Sequence, residues 1–192
     1  DVMIEAEAIN EKTQKKTLGI GTIVHKLAED WLKGKEVFEP EDKVVANCFK
    51  KFKNFWTSNN LKLLESEKIL YSIKGFCGTL DIIATDKSNN LILIDIKTSN
   101  GIFHNYVLQL HAYKYAYEEQ TGKKINKLCI VRLPKNDDEF ESRSFSYKPQ
   151  HTKAYLGLLD CYKSLELYNE QLKEYNANKR NANGIRKPKK TK

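Results

Sequence analysis

The segment from Gly75 to Ser99 constrains this chain more than any other. It holds two β-type runs, Gly-Phe-Cys-Gly-Thr-Leu-Asp-Ile-Ile-Ala-Thr and Leu-Ile-Leu-Ile-Asp-Ile-Lys-Thr-Ser, separated by Asp86-Lys-Ser-Asn-Asn90. A polar cluster of that kind between two such runs predicts an antiparallel hairpin. With the turn closing over residues 86–90, Thr85 faces Leu91, Asp81 faces Asp95 and Thr79 faces Lys97. Alternation along the strands then puts Asp95 and Lys97 on one face, with Asp81 beside them. Directly opposed residues have Cβ atoms roughly 5 Å apart, and like charges placed there are destabilising. A divalent cation between the carboxylates removes that conflict.

The rest of the chain supplies elements to bury this hairpin. Val24, Leu27, Ala28 and Trp31 recur at helical spacing and predict a helix ending near Lys33-Gly34, with His25 and Glu29 stacked on its flank. A second helix follows Pro40, with the stripe Val45, Cys48, Phe49, Phe52, Phe55 and Trp56 and with Lys43, Lys50 and Lys51 off it. Such an aromatic stripe reads as core rather than as a base-stacking platform. Leu61 to Ile73 reads as a strand leading into the hairpin. Phe103 to Glu119 is a helix carrying Tyr106, Leu110, Tyr113 and Tyr117 on one stripe with Gln109 beside it, ended by Thr121-Gly122. Lys127 to Leu133 and Glu139 to Tyr147 follow as strands, the second at an edge. Pro149 opens a long helix with the stripe Leu158, Cys161, Tyr162, Leu165, Tyr168, Leu172 and Tyr175.

The predicted order is α, α, β, β, β, α, β, β, α. Leu91 to Ile94 is apolar at consecutive positions, as in a central strand covered on both faces. The expected fold class is therefore α/β, a central mixed sheet flanked by helices. The 192 residues suffice for one domain, placed at 1–175. Residues 176–192 carry seven basic and no acidic side chains, which is most of the formal net charge of +8, and predict a flexible basic tail. A basic tail on a near-neutral body fits a nucleic-acid partner, and equally a solubilising end. No apolar run approaches a membrane span and no signal-peptide pattern is seen. The expectation is a soluble, intracellular protein, whether cytoplasmic, phage-encoded or organellar after loss of a targeting segment upstream of Asp1. The four cysteines form no Cys-x-x-Cys pair and are expected to be buried thiols.

The pattern of an acidic residue, any residue and Lys occurs at Glu41-Asp42-Lys43 and at Asp95-Ile96-Lys97. The first opens a predicted helix. The second ends a buried strand, where ionisable groups are costly unless paired or metal-bound. Two carboxylates with a lysine beside them suit Mg²⁺- or Mn²⁺-assisted hydrolysis of phosphodiesters, and hard oxygen ligands argue against zinc.

Gly21-Thr22-Ile-Val-His25, Gly78-Thr79-Leu-Asp81, Asp95-Ile-Lys97-Thr98 and Gln109-Leu-His-Ala-Tyr113 occur in this order and spacing. They resemble the RecB-type branch of the PD-(D/E)XK nucleases, which includes the mitochondrial genome maintenance exonuclease and many phage exonucleases. The likeness covers about residues 19 to 120 and implies a restriction-endonuclease-like core. By motif it implies that His25, Asp81, Asp95 and the backbone carbonyl of Ile96 bind Mg²⁺ or Mn²⁺, and that Asp81, Asp95 and Lys97 are catalytic. Gln109 and Tyr113, together with Thr98 and Thr22, would meet the DNA, Tyr113 chiefly through packing. Glu29 would be a solvated carboxylate or a neighbour of the site. The chain lacks the cysteines of the iron–sulfur members, so no iron–sulfur cluster is expected. The expected function is a metal-dependent DNA exonuclease preferring single strands or free ends, possible partners being other replication or recombination proteins. The alternatives are a flap or structure-specific endonuclease, an inactive DNA-binding subunit of the same fold, and a structural protein with a nonspecific tail.

Overall fold

The structure, a computed structural model, describes residues 19–136 and 139–182, with side chains as far as Lys179. Helix α1 covers residues 19–32, followed by α2 (Lys43–Ser58), β1 (Lys62–Ser72), β2 (Phe76–Thr85), β3 (Leu91–Lys97), α3 (His104–Thr121), β4 (Lys127–Arg132), β5 (Glu141–Phe145) and α4 (Pro149–Ala182). The order matches the sequence reading throughout. The five strands lie in the order β1-β2-β3-β4-β5. Only β3 and β4 run parallel, and α3 is the crossover that such a pair requires.

Local chemistry fixes the element ends. Asp42 caps α2 by accepting from the amides of Val44 (2.8 Å) and Val45 (3.2 Å), so the Glu41-Asp42-Lys43 triplet is a helix start. Gly122, at φ 69°, closes α3 in the left-handed conformation. In the hairpin turn the Asp86 carboxylate accepts from the amides of Ser88 and Asn90, which ties the loop to its own first residue.

Helices cover both faces of the sheet. On one side Val24 and Ala28 of α1 and the α2 stripe pack over Ile82, Ala84, Ile92, Ile94, Ile96 and Val131. On the other, Leu110, Ala116 and Tyr117 of α3 pack over Leu70, Leu80, Ile83, Leu93 and Ile130. All six α2 stripe residues are buried, and each large apolar side chain so removed from water contributes roughly 1.5–3 kcal/mol.

The α4 stripe lies on the surface: Leu158, Tyr162, Leu165, Tyr168, Leu172 and Tyr175 are exposed, because the helix runs past the body it springs from. Two expectations need correction. Helix α4 continues to Ala182, so residues 176–182 are helical where a tail was expected, and residues 183–192 lie outside the described residues. Of the cysteines, Cys48 and Cys129 are buried, but Cys77 and Cys161 are exposed. No helix among the described residues is long and apolar enough to cross a membrane.

Candidate active site

The hairpin register carries the site. The β2–β3 ladder pairs Thr85 with Leu91 and continues to Ile82 with Ile94. Asp81 and Asp95 come next, yet they do not pair, and neither do Thr79 and Lys97. Instead the amide of Ile96 donates to Asp81 Oδ2 at 2.7 Å. On its other side β2 pairs with β1, where the ladder passes from Ser66–Ile82 to Lys68–Leu80 and skips Glu67 opposite Asp81. Glu67 adopts φ 48°, a conformation uncommon for a residue with a Cβ. The alternation of β2 changes at this point, since Leu80 and Ile83 pack beneath α3 while Ile82 and Ala84 pack beneath α1 and α2. Asp81 and Glu67 are thus lifted out of regular pairing together.

Helix α1 brings His25 to the same place. Its Nδ1 lies 3.6 Å from Asp81 Oδ1, and one donor atom each from His25, Glu67 and Asp81 lie within 4.8 Å of one another. His25 and Glu67 open onto a cleft of about 360 Å³ lined by Gly21, Thr22, His25, Lys26, Glu29 and Glu67. Glu67 was absent from the sequence reading. A run of charged residues within a strand, Glu65-Ser-Glu67-Lys68, was the available signal. Glu29 lines the cleft, but its oxygens are engaged by Lys26 at 2.9 Å and Lys33 at 2.5 Å.

Asp95 stands on the α3 side with Lys97. It is 2% exposed, and Lys97 Nζ lies 2.9 Å from its Oδ1 and 2.7 Å from its Oδ2. Only the Oδ1 contact has hydrogen-bond geometry; Oδ2 is buried in ion-pair contact with the same ammonium. Lys97 also donates to Gln109 Oε1 at 3.1 Å and sits 5.0 Å from the centre of the Tyr106 ring. Gln109 Nε2 in turn donates to the Tyr113 hydroxyl at 2.9 Å. One turn of α3 therefore fixes the ammonium from the side opposite Asp95. Ile96, expected to offer its carbonyl, is buried, and its amide is what holds Asp81.

Two glycines set the spacing. A Cβ on Gly78 would stand 2.7 Å from the Tyr113 ring, and one on Gly21 would stand 3.0 Å from Thr98 Oγ1. The first lets α3 lie against β2. The second lets α1 settle on the end of β3, where Thr98 is half-buried and Thr22 is exposed at the cleft mouth.

The electrostatics favour a cation. Burial, and then the charge of Asp81, push the Asp95 carboxyl above the usual range, against the pull of Lys97 and His25. Desolvation and the charges of Asp81 and Glu29 raise Glu67 as well. Burial works against a charged His25, but the neighbouring Asp81 carboxylate and the charge of Asp95 outweigh it, so its pKa is raised. One imidazole and the carboxylates of Glu67 and Asp81 are a donor set that suits Mg²⁺ or Mn²⁺, and these three residues would hold the ion. A larger cavity of about 420 Å³ lies at the turn end of the hairpin, lined by Asp86, Ser88, Lys127, Cys129 and Ser144, and contains none of these groups.

No protein-family model matches the sequence, and no curated protein does. Solved structures offer distant likenesses. An Eubacterium rectale protein provisionally named an exonuclease is 12% identical, with a TM-score of 0.49 over 88% of this chain and 70% of that one. The protein SSO0001 is 16% identical at a TM-score of 0.40, covering 65% of this chain and 62% of its own. A repair endonuclease from Pyrococcus abyssi is 19% identical at 0.32, covering 50% and 39% respectively. The chain thus spans less than two thirds of SSO0001 and of the endonuclease.

Proposed function

We propose that this chain is a metal-dependent DNA nuclease that hydrolyses phosphodiester bonds, acting as an exonuclease on single-stranded DNA or free ends. The observation that carries the reading is the meeting of His25, Glu67 and Asp81 from three separate elements, one strand away from a buried Asp95–Lys97 pair. Asp95 is buried, and His25, Asp81 and Lys97 are half-buried, which is costly for ionisable groups and marks chemistry, while Glu67 is exposed at the edge of the group.

Mg²⁺ or Mn²⁺ bound by His25, Glu67 and Asp81 would supply a more acidic water and offset charge on the phosphoryl oxygens. The remaining work belongs to the chain. Asp95 holds Lys97 extended, and Gln109 fixes it from α3, so the ammonium is oriented before substrate arrives. There it can position a water or meet negative charge developing on the phosphate. Tyr113, held by Gln109 and fitted against Gly78, keeps α3 at a set distance from β2. Thr22 lines the cleft and Thr98 lies against Gly21 beside it, where their hydroxyls would donate to phosphate oxygens. Phosphate contacts carry no base identity, so cleavage is expected to be indifferent to sequence.

The test is incubation of end-labelled linear and circular single-stranded, duplex and flap DNA with Mg²⁺, Mn²⁺ or chelator, using the wild type and Lys97→Ala. The expected result is metal-dependent loss of linear single strands, sparing of circles, and no cleavage by Lys97→Ala. Cleavage of circles or of flap junctions would make it an endonuclease. Full activity in Lys97→Ala would remove the assignment of the site.

A further inference from the structure

The Lys97 ammonium has a third neighbour besides Asp95 and Gln109, which accept hydrogen bonds from it at 2.9 and 3.1 Å. It is the ring of Tyr106, whose centre lies 5.0 Å from Nζ, inside the roughly 6 Å over which an aromatic face attracts a cation. An ammonium has three N–H donors, and the two bonds leave one. Tyr106 stands three residues before Gln109, so ring and amide lie on the same face of α3. The ring is itself braced. Phe103 packs against it with centroids 5.5 Å apart and planes at 73°, and its body is half-buried against the core beneath α3. Among the described residues the Tyr106 hydroxyl forms no hydrogen bond, so the contact with Lys97 belongs to the ring face.

We propose that Tyr106 is a positioning residue for Lys97: its ring draws the ammonium to the α3 side and holds it there without consuming a donor. The role rests on the reading of Lys97 as the group that meets the phosphate. A carboxylate or carbonyl in the same place would take the third N–H, and a carboxylate would add negative charge where a phosphate has to approach. The π face is uncharged and attracts the cation through its quadrupole alone. It also shields the ammonium, whose side chain is 19% exposed, and the attraction strengthens as water is excluded. An aliphatic side chain would fill the same space and supply no such pull. Lys97 is thereby fixed from three sides and keeps one donor for a water or a phosphoryl oxygen.

The test changes the charge distribution of the ring while nearly keeping its size. Tyr106→Phe retains the π face and should cleave end-labelled single-stranded DNA with Mn²⁺ at the wild-type rate. Trifluorophenylalanine at the same position drains that face and should lower the rate at saturating DNA by about tenfold, the order of a partly desolvated cation–π contact, with KM unchanged. A second readout needs neither metal nor DNA. In chelator the ε-methylene protons of Lys97, identified by their loss in Lys97→Ala, should resonate upfield of the ordinary lysine position in wild type and Tyr106→Phe, and return to it in Tyr106→Leu. Full activity with the fluorinated ring, an equal loss in Tyr106→Phe, a rise in KM alone, or a Lys97 resonance unmoved by Tyr106→Leu would each overturn the positioning role. The nuclease reading survives any of these if wild type cleaves and Lys97→Ala does not, whereas a wild type without metal-dependent cleavage would overturn both.

Discussion

The backbone amide of Ile96 is bound by the carboxylate of Asp81, at 2.7 Å, where a regular hairpin would carry a backbone carbonyl. A side chain has taken over one rung of the ladder, which joins the site to the fold at a single oxygen.

That junction separates two roles of Asp81. Asp81→Asn keeps an oxygen for the Ile96 amide, so its unfolding free energy in chelator should match wild type within about 0.5 kcal/mol. It should nevertheless lose the rise in melting temperature that Mn²⁺ is expected to give wild type. Asp81→Ala leaves the amide unpaired and should cost about 1–3 kcal/mol with or without metal. Urea titrations and thermal melts of the three proteins check this, and a destabilised Asn variant would speak for a purely structural aspartate.

Gln109 links Lys97 to Tyr113, accepting from one and donating to the other. Removing it frees both while leaving His25, Glu67 and Asp81, the proposed cation ligands, intact. Gln109→Ala should therefore lower the rate at saturating DNA by about 10²-fold, the order expected when a reacting group loses its position, with little change in Mn²⁺ affinity. Single-turnover cleavage and the Mn²⁺-dependent melting shift are the two readouts, and equal loss in both would argue against a positioning role.

Gly78 and Tyr113 should be energetically coupled. Gly78→Ala forces the ring away from a contact of 2.7 Å, an overpacking cost of about 1–3 kcal/mol. With Tyr113→Ala the space is open, and the added methyl should then cost less than it does alone. A double-mutant cycle by urea denaturation measures the difference, and simple additivity would mean that the backbone moves instead.

His111 makes stability depend on pH away from the cleft. Its Nδ1 donates to the carbonyl of Val107 at 2.7 Å, and its Nε2 accepts from the amide of Lys148 at 3.2 Å, so the folded protein holds it neutral. His151 and Tyr147 pack against the ring, and Lys114 lies over Tyr147. Burial, then the charges of His151 and Lys114, lower its pKa, against the hydrogen bonds to Val107 and Ser146. A depressed histidine contributes stability above its unfolded pKa of about 6.5 and loses it as pH falls towards the folded value. The urea midpoint should thus fall on acidification below about pH 6.5, and His111→Gln should flatten that slope. An unchanged slope would assign the acid sensitivity to other groups.

Most of the architecture was legible because two periodicities govern it. The α2 stripe, the apolar run of β3 and the Asp86 turn each state their own environment, and together they fix the register that brings Asp81 near Asp95. Glu67 escaped because the rule that finds strand neighbours is alternation, and β1 departs from alternation: it bulges near Leu64 and turns to positive φ at Glu67. The outward face of α4 escaped for a different reason. Periodicity identifies an apolar face but says nothing about what covers it. Cys77 and Cys161 share that limit, since a thiol carries no signal of its own depth.

The close seat of Gly21 on Thr98 has a metrological consequence. His25 lies one helical turn beyond Gly21, so any retreat of α1 at the glycine is transmitted to the imidazole at nearly full amplitude. Metal–ligand bonds tolerate deviations of about 0.2 Å, whereas the packing of a helix tolerates more. A methyl group at position 21 would have to be accommodated by a shift of that order or larger, since its first neighbour would stand at 3.0 Å. The missing side chain thus acts as a gauge block: it sets the span across which His25 and Asp81 would have to agree on the proposed ion.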